Sequence, residues 1–586
     1  MKTGFIRAGI VLVIASAFTW QSIGAWQDSQ TTDEAVHLSA GRSYWQTGDY
    51  RLNPEHPALF KLWAALPLVL TPEAQLQTDT PIWRSGNQWT IGAEYLYTSP
   101  AQARYGSHWL LWLGRLPMIV IWLGLVVTLA VWSWRRWGPW PALAVTAVIA
   151  YDPNFLGHGH LVTNDVATSF AYLGTWLILW RFINRPSWST LGWFSLVFAA
   201  AQLTKYSAVI LWLLVPFVLA LARWYRRPGL TWRWWWRALL ALVVVTSVAT
   251  WTVYGWRVNR IDRDPRITQL WQERQDLVSR DAVDTVPPLI QKFIAWSDPA
   301  TATGRMFERV QRFSIPGYWY WRGFFSTTSH NYYGHAAYLL GQASTAGWWY
   351  YFPVALFVKT PILLLVSVLS LVIINAKRFY RRLRQRAWSR LVPFDFWMLG
   401  FPPLIFLGWS MTSHINIGVR HVFPAYVFWP LAVGSLLAVI GRRWPRVRSA
   451  VAVTVAVLTV SVATLAWPHT IGYYNGLIGG TAQGHRYVLD SNLDWNQDIW
   501  RLRRFLDTQR FPEVHLALFG SIPTETIFPE RLNVLGDQEV AAGVRPTGVV
   551  VISAGQLYNL DGPFSWLRPL TPRWRIGSSI NVYDFR

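Results

Sequence analysis

Residues 1–34 read MKTGFIRAGIVLVIASAFTWQSIGAWQDSQTTDE, an apolar segment followed by the acidic pair Asp33-Glu34. A bilayer-spanning helix needs about 20 apolar residues, so the segment at 4–24 predicts a first membrane span. We prefer a retained span to a cleaved signal peptide because no small-x-small cleavage site precedes the pair. A carboxylate beside a bilayer is costly unless it is solvated, paired or functional. The stretch therefore predicts a membrane protein whose first outer loop opens with candidate functional acids.

Composition extends this prediction to the whole chain. Of its 586 residues, 52% are hydrophobic and only 14% are charged, whereas soluble proteins typically carry about 25% charged residues. There are no cysteines, which excludes disulfides, thiolate metal sites and cysteine nucleophiles. The fold class is therefore predicted to be mainly α-helical, as a polytopic membrane protein.

The net charge of +23 does not indicate nucleic-acid binding, because the basic residues cluster in short connectors between apolar blocks. The clusters are Arg135-Arg136, Arg181 with Arg185, Arg223 to Arg237, Lys377 to Arg390, and Arg442 to Arg448. This distribution is the positive-inside pattern of membrane proteins. Basic side chains at the surface also attract anionic lipid headgroups, so membrane lipids are expected partners.

Hydropathy predicts about eleven transmembrane helices. The expected spans are 4–24, 108–134, 139–156, 165–184, 189–204, 206–222, 238–256, 348–375, 394–411, 420–440 and 449–467. Placing every basic cluster inside gives a cytoplasmic N-terminus and a transmembrane domain over 1–467 with outer loops at 25–107 and 257–347.

Residues 468–586 are predicted to form a small extracytoplasmic α/β domain. A helical pattern near 495–506 is followed by β-like runs at 514–519, 548–553 and 580–584. Before these runs, Asp490, Asp494 and Asp498 recur at i, i+4 and i+8. We expect the three acids to be solvated, with Asn492 or Asp494 capping the next helix.

The acidic pair of the first loop divides into two roles. Thr31 and Glu34 have capping-box spacing, which predicts a helix that runs to about Gly48. Adjacent helical residues do not share a face, so the two acids do not act together on one hydroxyl. Glu34 is assigned to structure or to substrate orientation, and Asp33 is assigned to chemistry.

Further along this loop, residues 53–61 read Asn-Pro-Glu-His-Pro-Ala-Leu-Phe-Lys. Two prolines bracket His56 and hold the backbone extended. His56 or Lys61 is expected to face an anionic headgroup of the substrate. Snorkelling to the membrane interface explains Lys61 equally well.

A second acidic site follows a predicted outer turn that contains His158, His160, Asn164 and Asp165. The two histidines with Asp165 offer ligand types of a divalent metal site, although interfacial histidines are more often solvated. Asp165 is either a helix cap or a second catalytic carboxylate. Its position on the same predicted face as Asp33 favours the catalytic interpretation.

Two cations are predicted on the outer face, where basic residues are rare. Lys205 lies between apolar runs and is costly there unless it has an anionic partner such as a phosphate. Arg420, followed by His421, precedes a span, and a guanidinium binds phosphate oxygens bidentately. Lys205, Arg420 and the adjacent His421 are candidate substrate-binding residues.

In this order, the motifs resemble those of the polyprenyl-phosphate-dependent glycosyltransferases of the GT-C fold, in particular the bacterial family 39 type related to protein O-mannosyltransferases. The resemblance is carried by Asp33-Glu34, His56 to Lys61, Asn164-Asp165, Thr204 to Tyr206, Gly418 to His421 and Ser491 to Trp495. Ala58 stands where O-mannosyltransferases usually have the second proline of His-Pro-Pro, and the tail shows no sign of their sugar-binding repeats. Transfer to protein is therefore not favoured.

The resemblance implies inverting transfer of a sugar from a polyprenyl-phosphate donor to an outer hydroxyl, in the bacterial inner membrane. Asp33 would be the general base, and Asp165 would orient the acceptor or share a metal. Lys61, Lys205 and Arg420 would stabilise the departing phosphate. No cofactor is certain beyond a divalent metal in members that use one, and the acceptor remains open among glycan, lipid and protein.

A membrane transporter or lipid flippase is the alternative function. It predicts ionisable residues near the bilayer midplane and repeated halves. The sequence shows neither, since its polar residues cluster at span ends. A third interpretation is a non-catalytic scaffold, for which substitution of the acids would leave all sugar products unchanged.

Overall fold

The structure is a computed structural model that describes residues 2–71, 73–225, 229–280, 283, 288–385, 392–509, 511, 514–529, 532–534, 545–559 and 562–586. The parts of two predicted basic connectors at 226–228 and 386–391 lie outside the described residues. So do residues 281–282 and 284–287 of the predicted loop at 257–347.

The N-terminal region is one long apolar helix followed by short helices. They are α1 (Lys2–Gln27), α2 (Glu34–Thr47), α3 (Leu59–Ala64), α4 (Leu66–Val69), α5 (Pro81–Ser85), α6 (Gln88–Tyr97) and α7 (Pro100–Tyr105). Helix α2 ends where predicted, but the capping box is only half formed. The Glu34 carboxylate accepts from Thr31 N at 2.9 Å, whereas the N-cap is Asp33 and no side chain caps the helix. Its end is set by Gly48, which has a φ of 65°, a left-handed conformation that terminates helices and favours glycine.

The central region is a bundle of apolar helices. They are α8 (Ser107–Trp137), α9 (Pro139–Tyr151), α10 (Pro153–His158), α11 (Asp165–Asn184), α12 (Trp188–Gln202), α13 (Leu211–Trp224) and α14 (Trp232–Val253). Helix α9 ends earlier than predicted because Pro153 restricts Asp152 to an extended conformation. Asp152 then caps α10, its carboxylate accepting from Asn154 N at 2.9 Å.

The connection between α14 and the next apolar helices contains short elements. They are β1 (Val258–Arg260), α15 (Pro265–Ser279), α16 (Pro288–Trp296), α17 (Ala302–Gln311), β2 (Ser314–Pro316), α18 (Tyr318–Tyr333), β3 (Ala337–Leu339) and β4 (Gln342–Ser344). Strands β1 and β2 pair antiparallel, as do β3 and β4. Helix α18 lies on the 53–56 segment, where Thr327 Oγ1 donates to the carbonyl of Glu55 at 2.8 Å.

The second group of apolar helices is α19 (Tyr351–Lys359), α20 (Ile362–Arg384), α21 (Phe394–Leu399), α22 (Phe401–Ser410), α23 (Phe423–Tyr426), α24 (Pro430–Arg443) and α25 (Pro445–Ala466). The single span predicted at 348–375 is divided between α19 and α20. Pro361 lies at the break, and it removes a helical N–H and holds Thr360 extended.

The tail contains α26 (Ile499–Gln509), β5 (Val514–Ala517), α27 (Thr524–Ile527), β6 (Leu532–Val534), β7 (Val549–Ser553), α28 (Ala554–Leu557), β8 (Trp574–Ile576) and β9 (Ile580–Asp584). These strands form one sheet in the order β6-β5-β7-β9-β8. Strand β5 is parallel to β6 and β7, whereas β9 is antiparallel to β7 and β8. All three β-like runs predicted from the sequence are strands here.

Among the described residues, eight helical segments are long and apolar enough to cross a membrane. Three further predicted spans correspond to shorter helices, at 139–151, 188–202 and 401–410. The count of eleven is therefore not confirmed. The chain is a multi-pass membrane protein by the length and apolar character of its helices.

The basic connectors and the loop that carries Asp33 and Glu34 lie at opposite ends of the long apolar helices. At one end, the Arg7 guanidinium of α1 lies 5.3 Å from the ring of Trp134 near the end of α8. At the other end, Trp26 of α1 packs against Trp109 near the start of α8, with ring centroids 5.4 Å apart. The antiparallel pair thus separates the basic connectors from the loop that carries the acidic pair. Which end faces the cytoplasm remains a prediction.

Candidate functional site

A cluster of two carboxylates and two cations joins four distant parts of the sequence. Lys205 Nζ lies 2.7 Å from Asp165 Oδ1, and Arg420 Nη1 lies 3.3 Å from Asp165 Oδ2. The Nη2 atom of Arg420 also lies 3.3 Å from Asp33 Oδ2. We call Asp33, Asp165, Lys205 and Arg420 the charged cluster. The sequence predicted all four as candidates, and the structure brings them together.

The members of the charged cluster differ in their access to solvent. The side chain of Asp33 is 21% exposed, whereas that of Asp165 is completely buried. Both oxygens of Asp165 are engaged by the two cations, so this carboxylate holds Lys205 and Arg420 at a fixed separation. Among the described residues, Oδ1 of Asp33 has no hydrogen-bond partner. Asp33 is therefore the carboxylate of the cluster that is free to contact a ligand.

The tail segment before α26 also contacts Arg420. Ser491 Oγ accepts a hydrogen bond from Arg420 Nε at 3.1 Å, and the guanidinium lies 4.1 Å from the ring of Trp495. A cation over an indole face is stabilised by the ring quadrupole. Ser491 and Trp495 thus orient the guanidinium and leave part of its N–H fork unused.

Glu34 does not join the charged cluster. Its carboxylate forms a completely buried pair with Arg115, at 2.6 Å from Nη2 and 2.9 Å from Nε. It also accepts from the backbone N–H groups of Thr31 and Val162, each at 2.9 Å. Burial raises the pKa of Glu34, but Arg115 and the backbone donors more than offset this and lower it below its ordinary value. Glu34 is thus a structural anchor, as the capping-box spacing indicated, and it has no oxygen left for substrate.

Arg115 fastens the segment that carries Asp33. Its guanidinium donates to the carbonyl oxygens of Ala25, Asp28 and Ser29 at 2.7 to 3.0 Å, in addition to Glu34. All of the hydrogen-bonding capacity of the guanidinium is then satisfied within the protein. Arg115 was not among the predicted site residues, because it lies within the apolar span of α8.

Two histidines attach α2 and the 53–61 segment to the turn before α11. His37 Nδ1 donates to the carbonyl of Val162 at 2.7 Å, and Asn164 Nδ2 donates to His56 Nδ1 at 3.2 Å. Burial lowers the pKa of His37 to about 4. Burial, with the charges of His37, Lys205 and Lys61, also holds the pKa of His56 well below its ordinary value. Both rings are therefore neutral near pH 7, and His56 lies beside the charged cluster.

Lys61 lies within the protein and not at a surface. Its Nζ contacts Tyr44 Oη at 2.8 Å and the carbonyl oxygens of Asn53 and His56 at 2.6 and 2.9 Å. Burial lowers its pKa to about 7. The amine thereby folds the 53–56 segment onto α2, and protein atoms already occupy its donors.

His421 follows Arg420 and faces the same region. It lies close enough to Lys205, Arg420 and Asp165 for their charges to act on it. Its Nε2 atom is buried and has no hydrogen-bond partner among the described residues. A neutral imidazole has one N–H donor, so the tautomer with its proton on Nε2 can donate to a bound oxyanion.

The two histidines proposed as metal ligands bind protein atoms. His158 Nδ1 lies 2.9 Å from the carbonyl of Asn154. His160 lies 2.9 Å from Gln21 Oε1 through Nδ1 and 3.2 Å from Asp28 Oδ2 through Nε2. In the described part of the chain, no group of three or more potential ligands is close enough to hold a metal ion. The metal prediction gains no support from this geometry.

The expectation that the acids at 490–498 are solvated was wrong for Asp494 and Asp498. Asp494 is buried and accepts from Gly555 N at 2.7 Å, and Asp498 is buried and accepts from Ser579 Oγ at 2.9 Å. Helix α26 starts only at Ile499, so neither Asn492 nor Asp494 caps it. The acids instead fix the irregular segment that supplies Ser491 and Trp495 to Arg420.

This segment is also attached to the apolar helices. Lys359 Nζ donates to the carbonyl oxygens of Ile471 and Asn492 at 2.7 and 2.6 Å, and Asn492 Oδ1 accepts from Val419 N at 2.9 Å. The residues between the last apolar helix and the sheet thus belong to the site. A domain boundary at 467/468 remains a prediction.

Fold and site together define a multi-pass membrane protein with a charged cluster at one end of its spans. Among solved structures, the chain is similar to ArnT from Cupriavidus metallidurans in the apo state, at 12% identity over 98% of this chain and 97% of that one, with a TM-score of 0.32. It is also similar to ArnT from the same organism bound to undecaprenyl phosphate, at 12% identity over 99% and 98% of the two chains, with a TM-score of 0.32. No protein-family model and no curated protein matches the chain. The functional proposal below therefore depends on the residues of this chain.

Proposed function

We propose that the protein is an inverting glycosyltransferase that moves a sugar from a polyprenyl-phosphate donor to a hydroxyl of an extracytoplasmic acceptor. The observation that carries the proposal is the charged cluster, in which a partly exposed Asp33 shares Arg420 with a buried Asp165. It combines a candidate base with cations suited to a phosphate, at the end of membrane-spanning helices.

Asp33 is the proposed general base. A carboxylate within hydrogen-bond reach of a hydroxyl removes its proton as the new bond forms. The acceptor oxygen then attacks the anomeric carbon of the sugar from the side opposite the phosphate. The bond from that carbon to the phosphate oxygen breaks, so the configuration inverts and the polyprenyl phosphate leaves with the electron pair.

Arg420 and Lys205 are the proposed partners of the departing phosphate. Arg420 uses three of its donor directions on Ser491, Asp165 and Asp33, and Lys205 uses one on Asp165. A guanidinium has five N–H donors and an ammonium has three, so both retain donors for phosphate oxygens. Preorganised donors that face a developing negative charge stabilise the transition state.

Asp165 and Glu34 act as positioning residues in this mechanism. Asp165 holds the two cations, and Glu34 with Arg115 holds the segment before Asp33. His56 and His421 are proposed to contact the sugar-phosphate. Lys61 was predicted from the sequence to contact the phosphate. Because protein acceptors surround its amine, we propose instead that it holds the 53–56 segment in place.

The location of the cluster favours a lipid-borne donor. Asp165 is the first residue of α11, and Arg420 and Lys205 lie at the start of the segments 419–443 and 206–224. A phosphate held there leaves its hydrocarbon chain at the level of the bilayer. A flippase would instead place ionisable residues near the middle of the spans, and the charged cluster lies at their ends.

The proposal is tested with the purified protein in nanodiscs and a panel of synthetic polyprenyl-phosphate hexoses, pentoses and amino sugars. Release of polyprenyl phosphate and the anomeric configuration of the product are measured. We expect Asp33→Asn to reduce turnover by about 10² to 10⁴-fold, the range for loss of a general base. Asp49→Asn is the matched control, because Asp49 lies on the same loop and pairs with Arg51 at 3.1 Å. Wild-type turnover in Asp33→Asn would reject the base, and retention of configuration would reject the direct displacement.

A further inference from the structure

Two adjoining cavities lie at the end of the helices remote from the charged cluster. The larger one, about 370 Å³, is lined by Arg135, Trp180, Arg181, Asn184 and Arg185. The smaller one, about 180 Å³, is lined by Ile178, Arg181, Ser189, Thr190 and Trp193. Arg181 lines both cavities, so they meet at its side chain. We call the two together the arginine groove.

The larger cavity presents an uncompensated positive charge. Among the described residues, none of its three arginines has a carboxylate within ion-pair distance, whereas the neighbouring Arg136 pairs with Asp395 at 2.8 Å. Guanidinium groups bind phosphate oxygens through paired N–H donors. Three of them around one cavity therefore provide a site for a phosphate group.

The smaller cavity is lined by one arginine, Arg181, where the larger cavity is lined by three. Trp193, on its wall, is 62% exposed, and Ile178 lies beside it on the preceding helix. Exposed tryptophans are enriched at membrane interfaces, where an apolar ring borders a polar layer. A slot lined by Trp193 and Ile178 next to an arginine cavity matches an amphiphile whose phosphate and hydrocarbon chain lie side by side.

The groove is separate from the proposed catalytic site. Helix α11 begins at Asp165 and ends at Asn184, which lines the groove. Twenty residues of α-helix span about 30 Å, the thickness of the hydrocarbon core. The groove thus belongs to the opposite leaflet from the charged cluster.

We propose that the arginine groove binds one anionic phospholipid, with its phosphate on Arg135, Arg181 and Arg185 and an acyl chain along Trp193. Basic pockets between transmembrane helices are known to take anionic headgroups. The positive-inside pattern explains why arginines occur at this end, but it requires neither their convergence on one cavity nor an adjoining apolar slot. The inference does not depend on the glycosyltransferase proposal.

The test measures retention of phosphatidylglycerol and of phosphatidylcholine by native mass spectrometry of the detergent-purified protein. The groove variant is R135Q/R181Q/R185Q. The matched control is R442Q/R443Q/R446Q, which removes the same charge from another basic connector whose residues line neither cavity. We expect the groove variant to lose about 100-fold in affinity for phosphatidylglycerol and the control to lose less than about threefold. Arg181→Gln alone, which lines both cavities, is the second variant should the triple substitution impair folding.

Two further measurements distinguish a bound phospholipid from a bound inorganic phosphate. Trp193→Ala is expected to weaken phosphatidylglycerol binding while inorganic phosphate at millimolar concentration fails to displace the lipid. Displacement by inorganic phosphate with no effect of Trp193→Ala would overturn the lipid assignment in favour of a free anion. Equal losses in the groove and control variants, or no preference for phosphatidylglycerol over phosphatidylcholine in the wild type, would overturn the site itself.

Discussion

Arg420 lies 3.3 Å from Asp33, although the two residues stand near opposite ends of the membrane region of the sequence. Asp33 precedes α2 in the first loop, and Arg420 lies in the turn before α23. The pair thereby joins the segment before α2 to the turn before α23 at the charged cluster. It also couples the two proposed chemical functions, because the cation that would hold the phosphate touches the carboxylate that would accept the proton.

Arg420→Lys is expected to lower kcat by about 10²-fold with little change in KM. Lysine keeps the charge but lacks the planar fork that contacts Asp165, Asp33 and Ser491 together, and loss of one preorganised donor costs about this much. Turnover with a polyprenyl-phosphate sugar measures the effect. An interaction made only in the transition state lowers kcat and leaves KM nearly unchanged.

Arg51→Lys is the control for that substitution. Arg51 also pairs with a carboxylate, Asp49 at 3.1 Å, and lies 4.8 Å from the ring of Trp83. Like Arg420, it thus contacts a carboxylate and an aromatic ring, but away from the charged cluster. Equal kinetic losses in the two variants would mean that Arg420 acts through folding and not through the phosphate.

Asp165→Asn is expected to lower the free energy of unfolding by about 3–5 kcal/mol, the usual cost of removing one partner from a buried ion pair. The substitution leaves both Lys205 and Arg420 without their shared carboxylate. Denaturant unfolding in detergent measures the change. The control is Asp395→Asn, which breaks the exposed pair with Arg136 and should cost about 0–1 kcal/mol. A similar small cost at both positions would contradict the anchoring role of Asp165.

The members of the charged cluster were predictable because each one violates a membrane rule. Lys205 and Arg420 are cations on the side where basic residues are rare, and Asp33 and Asp165 are acids at span ends. Their convergence was not predictable from spacing, since it depends on how helices far apart in the sequence pack. The resemblance predicted that they lie together, because it assigns Asp33, Lys205 and Arg420 to one donor site.

The supporting residues were less predictable, for a physical reason. Arg115 lies within an apolar span, where a single charge changes the mean hydropathy little, and apart from Glu34 its partners are backbone carbonyl groups that any sequence provides. Asp494 and Asp498 were expected to be solvated, but they lie in a segment whose backbone is irregular and where each accepts a hydrogen bond from the protein. Such segments are determined by their tertiary hydrogen bonds, and sequence periodicity carries no information about those.

Glu34→Gln is expected to destabilise the protein by about 3–5 kcal/mol, because it leaves Arg115 charged and buried without a carboxylate. Glu73→Gln is the matched control, since Glu73 pairs with Arg104 at 3.1 Å in the same loop but both side chains are more than half exposed. That pair should contribute about 0–1 kcal/mol. Turnover should fall with stability in Glu34→Gln because the segment before Asp33 is released. A stable variant with normal turnover would show that the buried pair does not position Asp33.

The pH dependence of Glu34 gives a second measure of the same pair. The folded state lowers the pKa of this carboxyl below its ordinary value, so its contribution to stability is present above about pH 4.5 and is lost as the pH falls further. The wild type should therefore lose its stability advantage over Glu34→Gln only below that pH. An advantage that is constant down to pH 3 would contradict the ion pair.

His37→Asn is expected to make the protein more resistant to mild acid than the wild type. Burial lowers the pKa of His37 to about 4, from an ordinary value of about 6.5. Between these values the unfolded chain binds the proton and the folded one does not, so the wild type loses stability as the pH falls, by about 3 kcal/mol in all. Asparagine keeps a side-chain N–H for the carbonyl of Val162 and has no such titration. Unfolding free energies measured at pH 7, 5.5 and 4 should converge or cross in this window, with His414→Asn as the control at an exposed histidine. Parallel curves for the wild type and His37→Asn would show that His37 does not titrate on unfolding and that its ring is not held neutral beside the charged cluster.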